Sequence, residues 1–559
     1  MMENKKSTPL LPDKRDVEKA ENREDGSITD GNLPPGDTTG DGRAKTLPLS
    51  KCKSVALVAT VTGAAFLNTL SIQAVVIILP TLGRELKIPD SRLQWVVSAY
   101  SLAFGCFLLL WGRIADLYGK RIIFILGSAF VAVTLVVNPF LPNEIAFDVF
   151  RGLQGLGAAA NVPTAIGILG VTFPPGKAKN YAFSAYASGA PLGSIFGNLL
   201  GGIIASYANW KWVFGALAGI SCVVTVAGVL FIPPQPPSPS FQGQNASLWK
   251  SVDWLGGFLI TAGLLALLFA LTEGNVVGWQ TVWIYMLMVI AGLLIAIFAA
   301  WQWYLETHSS TRSPLMKVSI FKSGMFSMAM LIMGIFFAVF NDWIVYATYF
   351  FQDYQELSPL QTTLRFIPTG VCGVFVAIIV SRLISRVPTY ILLMIGNVSV
   401  GLSCLLFAIP IPSDTSYFAF GFPAMILGVI GADITWPCLT LFTSASLPPE
   451  NQALGGALIN ASGQLGRSIG LAITTAAQTA IMARERGVPV ERSGKVLPWD
   501  PPSLVGLRDA NWLNFAFAMF CTVLVGLTFR GTGIVGKIDK KPVDGRGEEA
   551  APAGGDVRR

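Results

Sequence analysis

The chain of 559 residues contains one histidine, His308, and it sits in a polar stretch, Glu306-Thr-His-Ser-Ser-Thr-Arg312. A histidine-based triad, an HExxH zinc site and any multi-histidine metal cluster are therefore excluded. Charge is scarce too, at 13% of residues against about 25% in soluble domains. It is also unevenly placed, with 41 charged side chains in the 476 residues from 54 to 529. So few charges cannot solvate a water-soluble globule of this size, which removes an ordinary cytosolic enzyme. The net charge of +7 is spread thinly and forms no basic block, so a nucleic-acid binder is excluded as well. Seven cysteines make no CxxC pair. Cys106, Cys222, Cys372, Cys404, Cys438 and Cys521 lie in apolar runs, and Cys52 lies in the polar head. The six read as small core hydrophobes, and no disulfide framework is expected. The first 50 residues lack the apolar stretch of a cleaved signal peptide and read as a cytosolic tail. The last residues, Asp556-Val-Arg-Arg559, form no lipidation signal.

What the chain has in abundance is apolar length. A bilayer-crossing helix needs about 20 mostly apolar residues. Fourteen such windows lie near 55–80, 93–112, 121–141, 145–171, 182–205, 212–232, 254–272, 281–301, 325–349, 364–385, 389–410, 416–443, 453–482 and 511–530. The windows at 182–205 and 453–482 are rich in Gly and Ala and weaker in hydropathy. An all-α integral membrane protein follows. Lys and Arg concentrate in alternate short loops, at Arg113/Lys120/Arg121, Lys177/Lys179, Lys317/Lys322 and Arg382/Arg386. By the positive-inside rule those loops and both tails are cytosolic. The exceptions are Arg84/Lys87/Arg92 and the basic segment 483–508. With that orientation the Asn245-Ala-Ser sequon faces the cytosol and stays unmodified.

The sequence also repeats. Gly112-RIADLYGKRIIFIL-Gly127 aligns without gaps on Ser381-RLISRVPTYILLMI-Gly396, and Gly157-AAANV-Pro163 aligns on Gly431-ADITW-Pro437. Two related six-helix halves with two spans inserted between them account for both matches. The expected organisation is a disordered cytosolic tail (1–53), a six-helix bundle (54–232) and a cytosolic linker (233–252). Two inserted helices (253–302), a cytosolic loop (303–324), a second six-helix bundle (325–530) and a cytosolic tail (531–559) follow.

Four local patterns carry chemistry. Gly112-Arg-Ile-Ala-Asp116-Leu-Tyr-Gly119-Lys120-Arg121 follows the second span. Its glycines permit close helix approach, and Asp116 can accept from a neighbouring helix N-terminus or pair with Arg, as a gate between halves would require. Arg151-Gly-Leu-Gln154-Gly-Leu-Gly157 lies in the fourth span, where a charge costs at least about 2.5–3.5 kcal/mol and is expected to face the interior. Gly189, Gly193, Gly197 and Gly201, followed by Gly202, give the fifth span a face without side chains for backbone-to-backbone packing. Trp210-Lys-Trp-Val-Phe214 comes next, and Trp95, Tyr100, Leu447-Pro-Pro-Glu450 and Gln464-Leu-Gly466 complete the set. Together these resemble the signatures of the major facilitator superfamily, in particular its fourteen-span drug:proton antiporter family with the fungal aminotriazole-resistance-like pumps. Leu117 and Asn198 depart from the basic residue and the proline of those signatures. The likeness covers roughly residues 54–530.

The resemblance implies two six-helix bundles that rock about a central cavity and export a small organic compound (a drug, toxin or fungal secondary metabolite) against a proton gradient. No cofactor is implied beyond that gradient, and the expected partners are a small-molecule substrate, protons and the bilayer, with the protein a monomer. A multi-pass protein of the plasma membrane is expected, with vacuolar or vesicle membranes as alternatives. One departure matters. Asn68 stands where the family pattern has an acidic residue, and Asn cannot take up or release a proton. Asp433, near the middle of the twelfth span, and Asp342, in the ninth, are the remaining candidates for coupling, with Arg151 as a possible partner. Asn68, Gln73, Gln154, Asn161, Asn341 and Trp436 are candidates to line the cavity, a mainly apolar one with a few hydrogen-bonding groups. Uptake or export of a small inorganic or siderophore-type solute by the same fold is the alternative reading, and a non-transporting receptor-like relative is another. A membrane enzyme is not expected, since His308 lies in a polar loop and no acid–base constellation accompanies it.

Overall fold

Inside a bilayer the backbone N–H and C=O groups find partners only in one another, so long apolar runs become helices. A computed structural model of the chain describes residues 50–86, 88, 95–234, 252–308, 314–412 and 415–534. Among them are fourteen long helices and no strands. The first six are α1 (Lys51–Glu85), α2 (Trp95–Tyr118), α3 (Lys120–Val137), α4 (Glu144–Thr172), α5 (Lys177–Tyr207) and α6 (Lys211–Phe231). An inserted pair follows, α7 (Trp254–Val277) and α8 (Val282–His308). The last six are α9 (Gly324–Tyr349), α10 (Pro359–Leu383), α11 (Thr389–Ala408), α12 (Tyr417–Ser446), α13 (Gln452–Arg486) and α14 (Pro501–Thr528).

Every expected window holds one of these helices, and thirteen are long and apolar enough to cross a membrane. The exception is α13, whose Gly, Ala, Ser and Gln residues lower its hydropathy. Outward faces are apolar, the reverse of a soluble bundle. On α8 the exposed residues Val282, Met286, Val289, Leu293 and Ile297 recur at three- and four-residue spacing as one continuous stripe. A stripe of that length suits lipid rather than water. Caps set several helix starts: the Asn143 side chain accepts from Ala146 N–H, and Ser358 and Gln361 form a reciprocal capping box.

Some expectations are corrected. α1 begins at Lys51, inside the expected tail, and α14 begins at Pro501, ten residues before its window. There Asp500 caps the helix and proline occupies the first position, where a missing N–H costs nothing. His308 ends α8 rather than lying in a loop, and its ring stacks on Tyr304 with centroids 5.0 Å apart. Cys222 is exposed on the outer surface and Cys372 is only half-buried, so four of the six apolar-run cysteines are core residues. The expectations for the tail before residue 50, the linker with Asn245, Lys87, Arg92 and the tail beyond 534 lie outside the described residues.

Helices α1–α6 pack among themselves, as do α9–α14. The two sets meet through α5 against α10, and through α13 against both α2 and α4. The inserted α7 rests on α2 and α13 together. The aligned glycines of the repeat make the same contact in both sets. Gly127 of α3 faces Gly157 of α4, and a methyl on Gly127 would come within 2.9 Å of the Gly157 carbonyl. Gly396 of α11 faces Gly431 of α12, where a methyl on Gly431 would come within 2.7 Å of the Gly396 carbonyl.

Candidate functional site

The junction at Asp116 joins the two helix sets. α2 ends at Tyr118, Gly119 turns the chain with φ of 103°, and α3 starts at Lys120. Only glycine adopts that backbone readily. The turn brings Lys120 Nζ within 2.9 Å of Asp116 Oδ1, both side chains being buried. The same carboxylate accepts from the backbone N–H of Ala453 (3.2 Å) and Leu454 (2.8 Å), in the first turn of α13. Those N–H groups have no partner within their own helix, and the positive end of the helix dipole favours an anion there. Gly112 permits the approach, since a methyl on it would lie 3.1 Å from the Ala453 carbonyl. Arg113 adds a 3.3 Å hydrogen bond from Nη1 to Asn451 Oδ1. Of the expected gate residues Gly112, Asp116, Gly119 and Lys120 come together here, whereas Arg121 turns away and donates to the Val229 carbonyl at 2.7 Å.

Arg151 is 0% exposed and lies within the first helix set. Its Nε donates to the Val96 carbonyl (2.9 Å) and its Nη1 to Gln154 Oε1 (2.6 Å). Gln154 Nε2 donates in turn to Ser71 Oγ at 2.7 Å, and Tyr100 OH donates to Asn68 Oδ1 at 2.5 Å. The guanidinium also lies over the Tyr100 ring, 4.9 Å from its centroid. Six residues thus become one network linking α1, α2 and α4. It borders a cavity of about 10 Å³, the space of one water, lined in part by Asn68, Ser71, Tyr100, Gln154 and Asn161. Gln73 is not part of it; its Nε2 donates to Ser194 Oγ at 3.1 Å, between α1 and α5. Asn161 also accepts from Ser128 Oγ at 3.2 Å, tying α4 to α3.

The two membrane carboxylates have different surroundings. Asp342 is fully buried between α9 and α13, where Oδ2 accepts from Thr474 Oγ1 at 3.0 Å while Oδ1 has no hydrogen-bond partner. Asp433 is 4% exposed, and its buried Oδ2 has no hydrogen-bond partner. It faces Gly373 of α10, where a methyl would come within 3.1 Å of Asp433 Oδ2 and 3.6 Å of Pro191 in α5. Three residues along α12, Trp436 packs against Tyr186 of α5 with ring centroids 5.5 Å apart. Asp433 therefore lies at the seam between the sets, and Asp342 inside one of them. Neither reaches Arg151 among the described residues.

The glycine face of α5 meets α1. Methyls on Gly189, Gly197 and Gly201 would come within 2.8, 2.7 and 2.7 Å of the carbonyls of Thr62, Leu70 and Ala74, and Gly193 faces the Phe66 carbonyl. Four glycines spaced by four oppose four carbonyls spaced by four. Gly202 stands off that contact, with open space where a methyl would go. In the second set Gly466 faces Gly334 and Gly470 faces Ala338, so α13 meets α9 through the same device.

Residues 61–471 match the family described as Major Facilitator Superfamily. The chain belongs to the major facilitator superfamily. Among its relatives, the "Low affinity ammonium transporter" of Saccharomyces cerevisiae is 32% identical over 68% of this chain and 73% of its own length. The "Efflux pump terJ" of Aspergillus terreus is 29% identical over 77% of this chain and 82% of its own length. Among solved structures, the human organic anion transporter MFSD10 (TETRAN) superposes with a TM-score of 0.60 at 14% identity, covering 84% of this chain and 99% of the other. That likeness bears on the fold alone. These relatives are transporters rather than enzymes, and this member of the superfamily is a multi-pass membrane protein that moves a small-molecule substrate.

Two basic groups of this superfamily member have roles that sequence reading missed. Arg467 of α13 is half-buried, with its guanidinium 4.6 Å from the centroid of Phe337 in α9. The signal was available: a lone arginine beside Gly463, Gly466 and Gly470 inside a membrane window. Arg486, which counted against the positive-inside pattern, donates to Asp500 Oδ2 (2.6 Å), Ser503 Oγ (2.8 Å), the Lys495 carbonyl (3.2 Å) and the Ser493 carbonyl. It clasps the loop between α13 and α14 instead of presenting a free charge.

Proposed function

We propose that this chain is a secondary active exporter of small organic compounds, driven by proton antiport through alternating access. The observation that carries the reading is Asp433, a buried carboxylate with an unpartnered oxygen at the seam where α10 and α12 meet α5. An ionised carboxylate without a partner is costly in such a place. A group there exchanges its proton when the seam opens to water, which couples the proton to the movement. Asp116 acts as the gate on the expected cytosolic side, because its bonds to Ala453 and Leu454 exist only while that end is closed. The name of the terJ relative favours export over uptake. The protein acts as a monomer in the plasma membrane, or alternatively a vacuolar or vesicle membrane, and needs no cofactor beyond the proton gradient.

Efflux measured in inside-out vesicles under an imposed pH gradient tests this directly. Asp433→Asn is expected to abolish gradient-driven accumulation while leaving downhill exchange in place. Full gradient-driven transport by that variant refutes the assignment. A second reading, transport of a small inorganic solute, is favoured by the 32% identity to the yeast ammonium transporter. Uptake of radiolabelled methylammonium by cells expressing the chain distinguishes the two.

A further inference from the structure

We propose that Arg467 binds an anionic group of the transported compound, a carboxylate carried on an apolar or aromatic body. The inference deepens the export reading and rests on it for the presence of a cargo in the cleft. Successive residues of a helix turn by about 100°. On α13, Gly463, Gly466 and Gly470 face α9, whereas the Gln464 side chain lies beside Gly105 of α2. Arg467 falls between those two directions. It therefore points into the wedge between α9 and α2, one helix from each set.

The guanidinium is held but not neutralised. Its carbon lies 4.6 Å from the centroid of the Phe337 ring. Gly463 makes room for that ring, since a methyl there would come within 3.0 Å of it. The buried Nε has no hydrogen-bond partner, and among the described residues no carboxylate or other acceptor reaches the group. Arginine does not escape the cost by deprotonating. A membrane-buried arginine without an acid is expensive and marks a functional site. Phe337 lies against the planar group, and among the described residues no hydrogen bond engages its N–H fork. That fork matches a carboxylate in two parallel hydrogen bonds. Arg151 differs in being fully buried and tied into its own helix set, with two of its nitrogens already donating to the Val96 carbonyl and Gln154. Phe340, with its ring centroid 6.4 Å from that of Phe337, extends the aromatic surface for the body of the compound. Asn341, one helical turn beyond Phe337 on the same face, supplies a neutral polar group.

The test is binding to the purified full chain in neutral detergent, read by thermal shift and titration calorimetry. The probes are 4-phenylbutyrate and 8-phenyloctanoate, with the amide and the amine of each. The acids are expected to raise the melting temperature, and the amides and amines to leave it unchanged. Arg467→Gln is expected to weaken the acids about tenfold or more, the loss of a hydrogen bond to a charged group. Arg467→Lys keeps part of the affinity, having the charge but not the fork. Should Arg467→Gln fail to fold, Arg467→Lys and Phe337→Leu carry the comparison. Equal binding of acids and amides overturns the proposal, as does a response that survives Arg467→Gln or no response to either acid. A separate arm adds phosphatidylglycerol; a shift with that lipid and none with the acids makes the ligand a lipid headgroup and also overturns it. Because binding needs no gradient, this outcome is independent of the Asp433→Asn transport assay.

Discussion

Asp116 of α2 and Leu454 of α13 stand 338 positions apart in the chain and are joined by a 2.8 Å hydrogen bond from the Leu454 N–H to Oδ2. The bond links one helix from each set, at a helix start where the dipole favours negative charge. A hydrogen bond to a charged group contributes about 1.5–3 kcal/mol, enough to shift a two-state balance tenfold or more. Asp116→Asn keeps an acceptor but loses the charge, so the end of the bundle that carries it is expected to open more often. A cysteine replacing Ser444, which is buried in that junction beside Gln452, reports the change. Its labelling by a membrane-impermeant maleimide in inside-out vesicles should accelerate about tenfold in the Asp116→Asn background. Unchanged labelling refutes the gate.

The glycine face of α5 yields a sharper pattern. A methyl on Gly197 would intrude to 2.7 Å from the Leu70 carbonyl, whereas one on Gly202 would meet nothing within 4 Å. Overpacking of this kind costs about 1–3 kcal/mol. Gly197→Ala is therefore expected to lower the melting temperature of the detergent-purified protein and its yield of monodisperse material. Gly202→Ala should match the parent. Equal behaviour of the two variants contradicts the packing described.

How far the sequence exposes this molecule depends on which force sets each feature. Apolar length is a local property, so α6 and α11 are legible to within a few residues. α14 begins earlier than expected because Arg508-Asp-Ala-Asn511 reads as polar, although Asp500 and Pro501 had already started the helix. The matching of Gly127 with Gly157, and of Gly396 with Gly431, is legible because a backbone contact tolerates only glycine. The surroundings of Asp433 and Asp342 are not legible. Both are acids in apolar spans, and only tertiary packing gives one a threonine donor and leaves the other beside Gly373. Arg467 is legible as a lone arginine in an apolar window, but its ring partner is not, since Phe337 lies on another helix 130 positions away.

The clasp at Arg486 makes a prediction about pH. Burial by itself pushes the Asp500 carboxyl up, but the Arg486 guanidinium and the hydroxyl and N–H of Ser503 outweigh it and hold the group below the usual carboxylate range. A depressed folded value means that the stabilisation is present above the unfolded value of about 3.9 and is lost as pH falls through the folded one. Amides in residues 487–500 should keep their hydrogen-exchange protection, corrected for intrinsic rate, through neutral and mildly acidic pH and lose it only below about pH 4. Asp500→Asn, which removes the charge at every pH, should loosen the same loop at pH 7. A loop whose protection ignores both changes is held by something other than this pair.

Asp342 and Asp433 make the closing contrast, because the same substitution is expected to do different things at the two sites. At Asp342 the carboxyl group lies between α9 and α13, with Oδ2 accepting from Thr474 Oγ1 at 3.0 Å and Oδ1 unpartnered. Asn can accept the same bond, so Asp342→Asn should lose about 1 kcal/mol or less of stability and retain gradient-driven efflux. Asp433 has no such donor for Oδ2 and lies at the seam between the helix sets. Its replacement by Asn should leave the melting temperature within a few degrees of the parent and remove the dependence of efflux on the pH gradient. Both variants are measured side by side in vesicles, with melting followed in detergent. If Asp342→Asn uncouples transport and Asp433→Asn does not, proton exchange belongs between α9 and α13, and the seam beside Gly373 only joins the two sets.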